Sequence, residues 1–252
     1  MDILAALTPE GVSAFGAGTM ILASFFTSML TVTAGIGGGL AMIALMAYFV
    51  PVAALIPVHG LVQLGSNVGR IWLLRHHVAW VYLAAFVAGA IPGAILGRYA
   101  VGLMPGTAMK VVLGLFVLVL VWVPLPKLAG VPPLGMAPTG FVTTCLSMLF
   151  GATGPLNAVV LSKAFSDRMR FAATFASVMT VQHLLKVGVF GAAGFAFGPW
   201  LPLIAAMVAT GFAGTWVGRH FLMSMPEKRF RLVFNVCLSV LALDLVRQGL
   251  SG

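Results

Sequence analysis

His59, Gln63, Ser66, Asn67 and Arg70 lie in one apolar stretch, and their intervals of 4, 3, 1 and 3 put them on a single helical stripe. A second apolar stretch answers with Thr174, Ser177, Thr180, Gln182, His183 and Lys186. Polar side chains at membrane depth are expensive and read by default as pathway or interhelical contacts. Most of these groups donate hydrogen bonds or carry positive charge, and neither stretch holds a carboxylate. No Asp or Glu occurs between Glu10 and Asp167 or between Asp167 and Glu227, so little here would hold a cation. The chemistry predicted is therefore recognition of a small oxyanion. An enzyme would need a nucleophile with its base or a metal-ligating set, and no His, Cys and carboxylate fall at such spacing. Neither a metal nor a cofactor is expected, and Cys145 and Cys237 read as packing residues.

Two glycine breaks accompany these stripes. Gly35-Ile36-Gly37-Gly38-Gly39 sits inside a tract from Gly11 to Gly69 that has no Asp, Glu, Lys or Arg. Glycines at that density unwind a helix, and bare backbone at membrane depth persists where it lines a cavity or meets a ligand. Gly151-Ala152-Thr153-Gly154-Pro155 follows 116 residues after the first. Broken helices at corresponding places in two halves point to the binding site of a transporter. Helices that start just after each break would aim N–H groups and positive dipole ends at an anion. The expected site lies between Gly37, Gly38 and Gly39 on one side and Thr153 and Gly154 on the other. His59, Gln63, Asn67, Arg70, Asn157, Gln182 and Lys186 are its candidate side chains, and a side chain at Gly38 would fill the anion's space. Structural alternatives stand beside each: Gln63 and Gln182 as ties between helices, His59 as packing, Lys186 snorkelling at a helix end, and the glycines as close helix contacts.

The elements that must position these residues are membrane helices. Hydrophobic residues make up 61% of the 252 and charged residues 8%, with a mean hydropathy of +1.10. A soluble domain would carry about 25% charged residues, and the continuous apolar runs argue against an outer-membrane barrel. Net charge is +9, but the basic residues flank apolar segments, which suggests anchoring in the bilayer rather than nucleic acid. Met1-Asp2-Ile3-Leu4 lacks the basic start of a cleavable signal.

In order, the chain predicts a helix over 11–34, the first break, a short helix over 40–50, and spans over 52–74, 78–102 and 107–123. Pro124, Pro126, Pro132, Pro133 and Pro138 mark a linker. Short helices over 138–150 and 155–165 flank the second break, and spans over 171–190, 199–223 and 229–248 complete the chain. The domains expected are a first repeat (1–123), a linker (124–137) and a second repeat (138–252). Gln63 and Gly69 align with Gln182 and Gly188, Trp80 with Trp200, and Met104-Pro105 with Met225-Pro226. Gly93 and Gly97-Arg98 align with Gly214 and Gly218-Arg219. Ala85, Gly89, Gly93 and Gly97, and likewise Ala206, Thr210, Gly214 and Gly218, form small-residue stripes for close helix contact.

Basic residues orient the spans. Lys127, Lys163, Arg168 and Arg170 flank the second short-helix pair, and Lys228, Arg229 and Arg231 follow two spans later. Those loops are assigned to the cytoplasm, as is the turn at Arg75, His76 and His77. The class expected is all-α: a polytopic membrane protein of two inverted repeats, each a re-entrant, broken-helix hairpin plus three transmembrane helices. Both termini face the periplasm in this arrangement. Arg98 and Lys110 lie on an outward connection, against the charge rule.

At these residues the chain resembles the sulfite exporter TauE/SafE family of anion permeases. The resemblance rests on Gly35–Gly39, its echo at Gly151–Gly154, the stripe His59, Gln63, Asn67 and Arg70, and the duplicated half. It implies transport of sulfite, organosulfonates or related sulfur anions across a bacterial inner membrane, often outward. A channel of paired half-helices for small solutes is the competing expectation. Partners implied are the anion and the lipid bilayer, and a homodimer stays open.

Overall fold

The computed structural model describes residues 7–34, 37–123, 131–221 and 227–251, excepting the side chains at 32–34, 73, 168, 219–221 and 227–234. The described residues form ten α-helices and no strand. These are α1 (Ala14–Ala34), α2 (Gly38–Phe49), α3 (Val52–Leu74), α4 (Trp80–Gly102), α5 (Gly106–Trp122), α6 (Met136–Phe150), α7 (Gly154–Ala164), α8 (Arg168–Ala192), α9 (Leu201–Phe221) and α10 (Glu227–Ser251). Six helical stretches are long and apolar enough to cross a bilayer, while α2 and α5 are shorter apolar helices. The chain is a multi-pass membrane protein.

Each expected helix is present within a few residues, and α3 has the predicted bounds. Helix α8 begins three residues earlier than expected because Asp167 caps it: its carboxylate accepts from Met169 N at 3.0 Å and Arg170 N at 3.3 Å. Helix α6 begins at Met136, so Pro138 lies in its first turn. Proline is tolerated there because the first-turn N–H groups have no intrahelical acceptor. Gly35, Ile36, Pro124, Pro126, Lys127 and Met225-Pro226 lie outside the described residues.

The chain divides into two compact units, and each draws helices from both sequence halves. Met1–His59, Met104–Pro124 and Ala196–Gly252 form one unit; Gly60–Leu103 and Leu125–Phe195 form the other. In the first, α1 packs on α9 and α5 on α10. In the second, α4 packs on α6 and α8. The small-residue stripes make the α4–α6 and α1–α9 contacts. A Cβ at Gly93 would run into Phe141 O, and one at Gly97 would lie 2.7 Å from Cys145 O. In the other unit a Cβ at Gly214 would run into Phe25 O, and one at Gly218 would lie 3.0 Å from Met29 Cγ. Phe141 and Cys145 follow Phe25 and Met29 by 116 positions, and the glycines differ by 121. One contact is thus made twice, with the partners exchanged between halves. Hydroxyl groups add to it: Ser24 donates to Met207 O at 2.6 Å and Thr210 to Ile21 O at 2.9 Å.

The outer surface is apolar. Phe15, Leu22, Leu103, Trp72, Trp80, Trp122 and Trp216 are exposed. Trp72, Trp80 and Trp122 stand at or near helix ends, the level at which tryptophan favours the lipid–water boundary. Arg75 lies over the Trp72 ring at 4.9 Å, in the exposed turn with His76 and His77.

Candidate functional site

The second break is built by three residues. Helix α6 ends as Gly151 takes φ 78°, a conformation that side chains with a Cβ resist, and its N–H still donates to Ser147 O at 2.9 Å. Pro155 opens α7, where its missing N–H costs nothing. Thr153 occupies the cap position of α7 but does not cap it. Its hydroxyl turns back instead, donating to Thr143 O (3.1 Å) or to Gln182 Oε1 (3.0 Å), one at a time because it has one proton.

Helix α8 aligns a stripe against this break. Met179, Gln182 and Lys186 recur at intervals of 3 and 4, one face of a helix. Gln182 is fully buried, and its Nε2 lies 3.4 Å from Thr143 Oγ1 and 3.3 Å from Thr144 Oγ1. Lys186 is fully buried too, and Nζ donates to Gly151 O at 2.7 Å, a carbonyl left open where α6 stops. Gly60 makes room for its stem: a Cβ there would lie 2.7 Å from Lys186 Cδ. Snorkelling is therefore not the role of Lys186. The end of α6 draws its amine inward, where the negative pole of a helix favours a cation. Asn157, in the first turn of α7, is also fully buried; Nδ2 lies 3.6 Å from Met179 Sδ, and Oδ1 has no hydrogen-bond partner. Ser147 Oγ, on the last turn of α6, is likewise buried without a partner. Gln182 stands 14 residues from one end of α8 and 10 from the other. The break therefore lies beside the middle of that helix, about 21 and 15 Å from its ends.

The first break is built differently. Gly37 takes φ 105° just before α2. Gly38 is a contact residue: a Cβ there would run into Thr27 O and Thr31 Oγ1 of α1. The space its hydrogen leaves is occupied by a neighbouring helix rather than kept for a ligand. His59 is fully buried with Nε2 3.0 Å from Gly39 O; a carbonyl only accepts, so Nε2 carries the proton. Farther along α3, Asn67 Nδ2 donates to Gln63 O at 2.8 Å and so turns onto its own helix. Gln63 and Arg70 are half-buried, and Arg70 Nε is buried without a partner.

Of the predicted residues, the structure thus gathers Thr153, Gly154, Asn157, Gln182 and Lys186 around the second break. Gly37, Gly38, Gly39 and His59 gather around the first. Gln63, Asn67 and Arg70 follow along α3. Sequence reading missed Thr143, Thr144 and Ser147, all buried on α6. A signal for them exists: Thr27, Ser28 and Thr31 precede them by 116, so a hydroxyl trio is duplicated ahead of each break. It was hidden because a threonine in a membrane helix usually satisfies itself on its own backbone, as Thr143 does with Thr139 O at 2.8 Å.

No group of three or more His, Cys, Asp or Glu able to hold a metal occurs among the described residues. Comparison with curated proteins gives no match, and comparison with solved structures gives none. The family model described as sulfite exporter TauE/SafE matches residues 20–245, a span that takes in both breaks and every residue placed above, and the chain belongs to that family.

Proposed function

We propose that the protein exports small sulfur-containing oxyanions, sulfite or organosulfonates, across a bacterial inner membrane, and that it binds the anion at the second break. The carrying observation is the buried amine of Lys186 in a unit whose only carboxylate is Asp167. Asp167 caps the far end of the same helix, 19 residues away and thus about 28 Å along the axis. An ammonium taken out of water without a counter-ion is costly. An anion beside Gly151–Gly154 would neutralise it and accept from Asn157, Ser147 and the open N–H groups of α7. The first break, with His59 and the α2 N-terminus, has the same polarity in its own unit and serves the passage of the anion. The twofold recurrence of the glycine contact and of the hydroxyl trio supports a duplicated chain, whose halves the basic loops make inverted, with each broken helix re-entering from its own side.

The test is thermal unfolding of the purified protein. Sulfite or methanesulfonate at about 100 times its Kd should stabilise it by roughly 2.7 kcal/mol, and dimethyl sulfone, a neutral molecule of similar shape, should not. Equal stabilisation by the neutral sulfone would overturn the anion assignment. In proteoliposomes the flux should saturate with concentration; a linear flux would favour the channel.

A further inference from the structure

The polar groups at the second break also bear on the charge of the anion, given the binding site proposed above. Lys186 is fully buried, and no other described Lys or Arg side chain is. Within its unit Arg75, Lys163 and Arg170 are exposed. Arg70 stands ten residues beyond Gly60, the point where the Lys186 stem meets α3, or about 15 Å along that helix. Arg98 lies over the Phe190 ring at 5.2 Å, and its Nη1 is 3.1 Å from the Cβ position of the exposed Gly102, toward the end of α4. His183 is buried on the Lys186 side of α8. The remaining groups at the break, Thr143, Thr144, Ser147, Thr153, Asn157 and Gln182, are neutral.

The duplication sharpens this. Counting between the aligned pairs Gln63/Gln182 and Gly69/Gly188 makes Asn67 the counterpart of Lys186, so one half contributes a charge where the other contributes an amide. We infer that the site is matched to a singly charged oxyanion, a sulfonate or hydrogen sulfite, and discriminates against dianions such as sulfate. A monoanion beside one ammonium leaves the buried site neutral. A dianion leaves one negative charge uncompensated, and an uncompensated buried charge is strongly unfavourable. Asn157 Oδ1, an acceptor without a partner, suits an anion that keeps a proton.

The experiment is calorimetric titration of the purified full chain at pH 8 with sodium methanesulfonate and sodium sulfate at matched ionic strength. Both probes keep their charge across this range, so the comparison isolates charge. Methanesulfonate should bind at least about tenfold more tightly. Lys186→Met should weaken methanesulfonate by about 10- to 150-fold, the effect of losing a hydrogen bond to a charged group, whereas Lys186→Arg and Arg98→Gln should retain the preference. Sulfate binding as tightly as methanesulfonate would overturn the charge assignment and leave the anion site standing. Binding of neither would overturn both. A preference unchanged in Lys186→Met would place the selectivity elsewhere and sink the inference. The wild-type ratio tests the idea even if Lys186→Met does not fold.

Discussion

Gln182 and Asn157 are both buried amides beside one break, yet their surroundings differ. Gln182 has hydroxyl partners on α6 and in the turn, so Gln182→Leu removes hydrogen bonds worth about 1 kcal/mol each and leaves Thr153 only the Thr143 carbonyl as acceptor. We expect a lower melting temperature together with weaker binding of methanesulfonate. Asn157 has only a methionine sulfur, and its Oδ1 is unsatisfied. Replacing such a group with an apolar side chain of similar size is nearly neutral or stabilising. Asn157→Leu should therefore keep or raise the melting temperature while losing affinity by about 10- to 150-fold. Unfolding curves and titrations on the two variants separate a scaffold amide from a ligand amide. Equal destabilisation would make Asn157 part of the scaffold.

At the level of the element, glycines with one look in the sequence divide into four kinds. Gly93 and Gly214 let helices touch through the carbonyls of Phe141 and Phe25, so alanine at either must push α4 from α6 or α9 from α1. Such overpacking costs about 1–3 kcal/mol, and thermal unfolding should show similar losses for Gly93→Ala and Gly214→Ala. Gly18 has no neighbour within 4 Å, and Gly18→Ala should be neutral or stabilise by up to about 1 kcal/mol. Gly37 and Gly151 hold the positive φ of the breaks, where alanine costs about 1–2 kcal/mol in backbone strain. Gly154 is different again: a Cβ there would make ordinary contacts of 3.7 Å with Phe175 and 3.8 Å with Met179. Gly154→Ala should fold normally, and any loss of methanesulfonate affinity would then come from the mouth of the site.

For the whole molecule, the basic loops predict sidedness. A reporter inserted at 165–167, between α7 and α8, should be active in the cytoplasm and one fused after Gly252 in the periplasm; cytoplasmic activity at the second position would overturn the inverted arrangement. The same charge pattern bears on energetics. With no Asp or Glu between Glu10 and Asp167 or between Asp167 and Glu227, most of the chain offers no carboxylate to a sodium ion. Transport in proteoliposomes should proceed equally in sodium and in potassium, and a strict sodium requirement would contradict this.

The helices, both breaks and the membrane class were legible in the residues themselves. Bilayer thickness sets the span lengths, and glycine and proline interrupt helices through local sterics that need no partner. The small-residue stripes were legible too, because a period of four defines a face. What each face meets was not. Two units, each assembled from both halves of the chain, follow from which helices lie side by side, and no local pattern specifies that. Lys186 shows the limit most plainly. Its place near a helix end fits snorkelling as well as burial, and only the end of α6, brought alongside from 35 residues away, turns the amine inward. The spacing of Gly38 alone fits room for a ligand, but in the fold Thr27 and Thr31 lie where its Cβ would be. Local chemistry sets which backbone can form, whereas the use of a buried donor depends on the acceptor that tertiary packing delivers.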